Sequence, residues 1–141
     1  MELPPELLRQ GIERGSILLS DCFEDIDHAK FFAVMGIYED RIAGFFFINS
    51  RIHPIIESKP AHFAMQYLLS KKDYPFLRYD SFLGANELQT RPVDTLVESM
   101  RTEQTIIVGH LTDRDLAAVL EACRQSDLFS AKEKRQYFYP D

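Results

Sequence analysis

Two nearly unbroken apolar runs dominate the chain. Lys30 to Tyr38 reads KFFAVMGIY, and Ile42 to Ile48 reads IAGFFFI. Each has strand length, and the polar Glu39-Asp40-Arg41 between them predicts a hairpin. Apolar residues at successive rather than alternate positions predict strands buried on both faces. A closed or strongly coiled small barrel supplies such an environment.

Around this hairpin the pattern is more mixed. Pro4 and Pro5, followed by Leu8 and Ile12 on one face, predict a short helix over 3–13 that ends at Gly15. Ile17 to Ser20 reads as a strand, and Asp21 to His28 as a polar loop. Ser50 to Pro60 carries Pro54 and Pro60 and reads as a long loop. His62 to Leu69 and Ser81 to Thr90 read as strands, with Lys71-Lys72-Asp73 as a turn and Gly84 marking a bend. Pro92 opens a helix whose apolar positions are Val93, Leu96, Val97 and Met100. Thr105 to Leu111 reads as a strand. Thr112-Asp113-Arg114-Asp115 resembles a capping box, with Asp in place of the usual Glu, and opens the clearest helix, with Leu116, Val119, Leu120 and Cys123 along one stripe. Ser130-Ala131-Lys132-Glu133 is a second capping box and opens a terminal helix. No repeat, low-complexity segment or linker interrupts the series. The expectation is one domain over 1–141, of α+β class and mainly β.

Composition narrows the function classes. At 141 residues and 45% hydrophobic content the chain can bury one ordinary core. No window reaches ~18 uninterrupted apolar residues, so no membrane span is expected. The start MELPPELLRQ lacks the basic and apolar regions of a signal peptide, so a cytoplasmic location is expected. Cys22 and Cys123 are far apart and outside any CxxC spacing, which argues against a disulfide scaffold or a zinc site. The net charge of −6 counts against a general nucleic-acid coat, although it leaves room for a local basic groove. There is no Gly-rich phosphate loop, HExxH, GxSxG or EF-hand pattern.

Four segments carry a family resemblance. They are Gly15-Ser16-Ile17-Leu18-Leu19, Ala29 to Met35, Asp80-Ser81-Phe82-Leu83 with Glu87-Leu88-Gln89-Thr90 and Leu96, and Gly109-His110-Leu111 before the Thr112 helix. In order and spacing, over roughly residues 13 to 129, they resemble the MazF/PemK toxins. Those toxins have a small SH3-like barrel shared with the CcdB gyrase poisons. The resemblance implies that barrel with a C-terminal helix. The helix over 3–13 and the tail over 130–141 would be additions.

The resemblance also implies a chemistry. Family members cut single-stranded RNA without a metal or other cofactor. The 2′-hydroxyl attacks the neighbouring phosphate and leaves a 2′,3′-cyclic phosphate and a free 5′-hydroxyl. A base, an acid and a cation are needed. Lys30 stands where the family has Arg at the head of the second strand, and it lacks the planar guanidinium fork. Phe31 replaces the usual proline. Ser50, or Asn49, matches the hydroxyl position after the third strand. His28, beside Asp27, carries an imidazole, the side chain most often used for proton transfer, and is the candidate acid or base. Arg51, His53, Lys59 and His62 make the most basic stretch of an acidic chain and would contact RNA phosphates. Phe23 and Tyr74, in predicted loops, are the candidates for stacking on bases. His110 reads as structural.

Each of these residues has a plain alternative: a solvated lysine at a strand start, a turn serine, a surface histidine, a solvated loop. Two functions follow. One is a homodimeric endoribonuclease toxin held by a cognate antitoxin protein. The other is a non-catalytic protein-binding module on the same barrel, CcdB-like or degenerate. The altered Arg, the missing Pro and the acidic charge favour the second.

Overall fold

The computed structural model describes residues 3–23, 26 and 28–139. Asp27, and residues 140 and 141 of the tail, lie outside this set. The described chain is α+β and mainly β. Its elements are α1 (Pro5–Gln10), β1 (Ser16–Ser20), β2 (Lys30–Tyr38), β3 (Ile42–Asn49), α2 (Pro54–Glu57), α3 (Pro60–Phe63), β4 (Gln66–Leu69), β5 (Ser81–Gly84), β6 (Gln89–Pro92), α4 (Val93–Arg101), β7 (Thr105–His110), α5 (Asp113–Gln125) and α6 (Ala131–Tyr137).

The predicted hairpin is the centre of the fold. β2 and β3 pair antiparallel from Phe31↔Ile48 to Tyr38↔Ile42. Glu39 and Asp40 turn the chain between them at φ 51° and 58°, a left-handed turn that matches the twist of the flanking strands. The register shifts between Val34 and Gly36, which bends the pair. The strands form one antiparallel sheet in the order β4-β5-β3-β2-β1-β7, with β6 also on β3. Among the described residues β4 and β7 do not pair. The sheet is therefore open, where a closed barrel was expected.

Helices and loops cover both faces instead, which explains the unbroken apolar runs. Side chains alternate across a strand. Leu18, Phe32, Val34 and Phe45 face α4, where Val93, Leu96, Val97 and Met100 meet them. Ile17, Ala33, Met35 and Phe46 face the other way, toward Val119, Leu120 and Cys123 of α5 and Phe138 beyond α6. Tyr137 packs so tightly over the bend that a Cβ on Gly44 would lie 2.6 Å from its ring. Glycine at that position therefore seats the C-terminal helix.

Three expectations are corrected. Ser50 to Pro60 is not a plain loop, because Pro54 and Pro60 each start a short helix, α2 and α3. Proline fits a first helical position, where its missing N–H costs nothing. Because α3 occupies Pro60–Phe63, the strand expected from His62 begins only at Gln66. The strand expected over 81–90 divides into β5 and β6. Both run along the same edge of β3, but three extra residues intervene between the Ile48↔Leu83 and Phe45↔Gln89 pairs. The break lies just after Gly84, at Ala85 to Leu88.

The helix ends follow their sequence signals in part. Ser130 and Glu133 form a complete capping box on α6. On α5 the Thr112 hydroxyl accepts from the Asp115 N–H at 3.1 Å, but the Asp115 carboxylate does not return to the backbone. It is held by tyrosines instead. Among the described residues no helix is long and apolar enough to cross a membrane.

Candidate functional site

The exit of β3 carries the site. Pairing of Phe31 with Ile48 and of Phe32 with Phe47 puts the Lys30 side chain on the same face as Phe47 and Asn49. Its amine donates to Asn49 Oδ1 and sits 5.6 Å from the centroid of the Phe47 ring. Lys30 is half-buried, and burial pulls its pKa below the ordinary lysine range. A cation that is partly stripped of water in this way acts more strongly on a nearby anion.

Two clefts flank the Asn49-Ser50-Arg51 segment. One has a volume of about 410 Å³ and is lined by His28, Lys30 and Ser50, with Arg78, Tyr79 and Ser81 opposite. All three residues assigned a catalytic role from sequence therefore border a single cleft. The other cleft, of about 530 Å³, is lined by Asn49, Arg51 and His53, with Gln66, Asn86 and Glu87 across from them. Lys30 connects the two, because it borders the first and bonds Asn49 of the second.

The second cleft has a network of amides for its floor. Gln66 Nε2 donates to Asn86 Oδ1 at 2.8 Å and to the His62 carbonyl at 3.2 Å. Asn86 Nδ2 lies 3.2 Å from His62 Nδ1. Gly84 lies between these groups, where a Cβ would meet Asn49 Nδ2 and Asn86 Oδ1 at ordinary contact distance, 3.4 Å from each. His53 caps α2, its Nδ1 accepting from the Ile55 N–H at 3.1 Å. That bond places the proton of the neutral ring on Nε2.

The remaining candidates are not brought here. Lys59 is exposed at the junction of α2 and α3 and borders neither cleft. Phe23 is only 6% exposed and packs against Phe32 and Phe47 at centroid distances of 5.6 and 5.0 Å. Tyr74 is 1% exposed, and its hydroxyl is engaged by Asp115 and Thr112. Neither ring offers a free face, so the expectation that they stack on bases is corrected: both are core residues that happen to lie in polar loops. His110 bonds the Leu111 and Arg14 carbonyls, a structural tie.

Sequence reasoning passed over Gln66, Asn86, Arg78 and Tyr79. Tyr79 is 56% exposed and carries the Arg78 guanidinium 5.6 Å from its ring. It is a better stacking surface than the two rings first chosen. The signal that could have located Asn86 is its place directly after Gly84-Ala85, where the strand pattern breaks.

No protein-family model matches this chain, and no curated protein matches it.

Proposed function

We propose that this protein cleaves single-stranded RNA by the metal-independent route of the MazF/PemK toxins, on a divergent form of their SH3-like barrel. The observation that carries this reading is the half-buried Lys30 amine, fixed by Asn49 at the edge of a cleft that His28 and Ser50 also line. The two bent central strands, the short helix before the last strand and the helix after it keep the family's order.

In this mechanism the scissile phosphate sits against Lys30. The 2′-hydroxyl loses its proton to a base and forms a bond to phosphorus. The bond from phosphorus to the 5′-oxygen breaks, and that oxygen takes a proton from an acid. His28 serves one proton transfer, and Ser50 positions a phosphate oxygen. Lys30 stabilises the charge that builds on the crowded phosphorus. Arg51 and His53, exposed at the rim of the neighbouring cleft, hold flanking phosphates. Working partners would be a second copy of the chain and an antitoxin protein.

The test is to incubate the purified protein with long RNA in chelator and to map new 5′-hydroxyl ends. Cleavage is expected, and Lys30→Ala should reduce it at least ~100-fold, since removal of one group that stabilises developing charge costs about that much. Intact RNA across varied sequences, or full activity in the Lys30 variant, would sink the proposal.

A second reading has its own support. Leu3, Leu7, Ile106 and Ile107 are all 41% or more exposed, and Ile106 and Ile107 lie on the edge strand β7. Such a surface suits a protein-binding module on the same fold.

A further inference from the structure

The amide cleft differs from a solvated polar surface in that two of its amides have their orientation set by a neighbour that can play only one role. Lys30 can only donate, so Asn49 must turn its oxygen toward Lys30, which leaves both Nδ2 hydrogens facing elsewhere. The His62 carbonyl can only accept, so Gln66 must turn its nitrogen toward it. Gln66 Nε2 also serves Asn86, so both of its N–H groups are used. The Gln66 oxygen has no donor among the described residues, and neither do the Asn49 N–H groups have an acceptor. An amide acceptor and an amide donor are thus held ready in one cleft of about 530 Å³. Glu87 adds a carboxylate at its exposed side, and Ile52, Pro54 and Ile56 add apolar walls.

This combination fits the flat edge of an unpaired nucleobase between apolar walls. We infer that the cleft floored by Asn49, Gln66 and Asn86 is a base-selecting subsite that takes the amine-bearing bases adenine, cytosine or guanine and rejects uracil. The inference rests on the single-stranded RNA reading above.

The preference follows from a count of acceptors. Gln66 Oε1 and Glu87 both need donors. An exocyclic amine supplies two N–H groups on one nitrogen. Uracil offers a single N–H between two carbonyl oxygens, and one of those would face the carboxylate. Asn49 supplies the donor that a ring nitrogen or carbonyl of the selected base requires. Lys30 bonds this same asparagine, so the selected base lies next to the scissile phosphate, at one fixed position in the cut sequence.

Two measurements test this. The first is the base found at each position around mapped cleavage ends. The second is binding of short single-stranded oligonucleotides of one base each, 2′-O-methylated so that they cannot be cut, to wild type and Gln66→Ala. Wild type should bind the amine-bearing sequences about tenfold more tightly than the uracil one, as expected of one good amide pairing. Gln66→Ala should cut that preference to about threefold, since Glu87 is then the one acceptor of the pair that remains. The readout is the ratio between bases and not affinity alone, which a merely structural role would not move. Equal binding of all four bases by wild type, uracil at the fixed position, or an unchanged preference in Gln66→Ala would overturn the inference while cleavage stands. Failure to bind any of the oligonucleotides would overturn it together with the RNA reading.

Discussion

Two polar clusters on the described part of the molecule are finished differently. One lies where α5 meets the loop after β4. There Tyr67 donates to Asp115 at 2.8 Å, Tyr74 donates to the other carboxylate oxygen, and the Tyr74 hydroxyl accepts from the Thr112 N–H at 3.0 Å. Asp115 is 3% exposed, and its carboxylate is fully partnered. The other cluster, at the exit of β3, leaves an amide oxygen and an amide –NH₂ group without partners among the described residues, beside a cleft. A cluster closed on itself serves the fold. A cluster that holds its groups in fixed orientation yet leaves them open is prepared for something else.

Removal of the centre of the closed cluster should produce the largest loss of stability. Asp115→Ala deprives two tyrosine hydroxyls of their acceptor, and Tyr74 is buried. The expected cost is about 2–3 kcal/mol, measured by chemical denaturation. The same group sets an acid limit. Burial would push the Asp115 carboxyl up, but hydrogen bonds from Tyr74, Tyr67 and Thr112, with the nearby Arg114, outweigh it and hold the pKa below the usual aspartate value. A depressed folded-state pKa means that the contribution is fully present above the unfolded value, about 3.9, and is lost as pH falls through the folded one. Between neutral pH and pH 5 the contribution should be flat. Below about pH 4 wild type should lose stability more steeply than Asp115→Asn. Parallel acid curves would show that Asp115 is not the group responsible.

Tyr74→Phe is a milder break in the same cluster. It keeps the ring in the core and removes only the hydroxyl. The Thr112 N–H loses its partner, and Asp115 loses one of its donors. The expected cost is about 1–2 kcal/mol. A neutral outcome would mean that water replaces the hydroxyl and that the cluster is less closed than its distances indicate.

The sequence made the two clusters unequally legible, for physical reasons. The hairpin, the α4 stripe and the α6 capping box were readable because periodicity and caps are local. Lys30, Ser50 and His28 were singled out by their places at or just outside strand ends. Gln66 and Asn86 were not. They reach Asn49 only because β5 pairs with β3 at Ile48↔Leu83 and with β4 at Gln66↔Gly84, and then breaks. Strand register over such separations is set by tertiary packing and not by local pattern. Phe23 and Tyr74 misled for the converse reason. Their polar neighbours suggested exposure, while each ring fills a gap between sheet and helix. Asp115 looked like half of a capping box. The tyrosines that hold its carboxylate lie 48 and 41 residues earlier in the chain.

The smallest predicted effect is the most telling for the comparison. Gln66 is half-buried and makes two hydrogen bonds, so a purely structural view assigns its loss a cost like that of Tyr74. The open-cluster view does not. Asn86 borders the cleft, so water can take the place of the Gln66 amide against it, and the His62 carbonyl, in the short helix α3, also accepts from the Met65 N–H. Gln66→Ala should therefore change stability by no more than about 0.5 kcal/mol. Denaturation of Gln66→Ala and Tyr74→Phe side by side gives the answer. If the glutamine costs as much as the tyrosine, both clusters are scaffolding and the cleft at the end of β3 loses its claim to be a binding site. If it costs almost nothing, a residue held in fixed orientation by two hydrogen bonds is contributing little to the fold, and its ordering is explained by what enters the cleft.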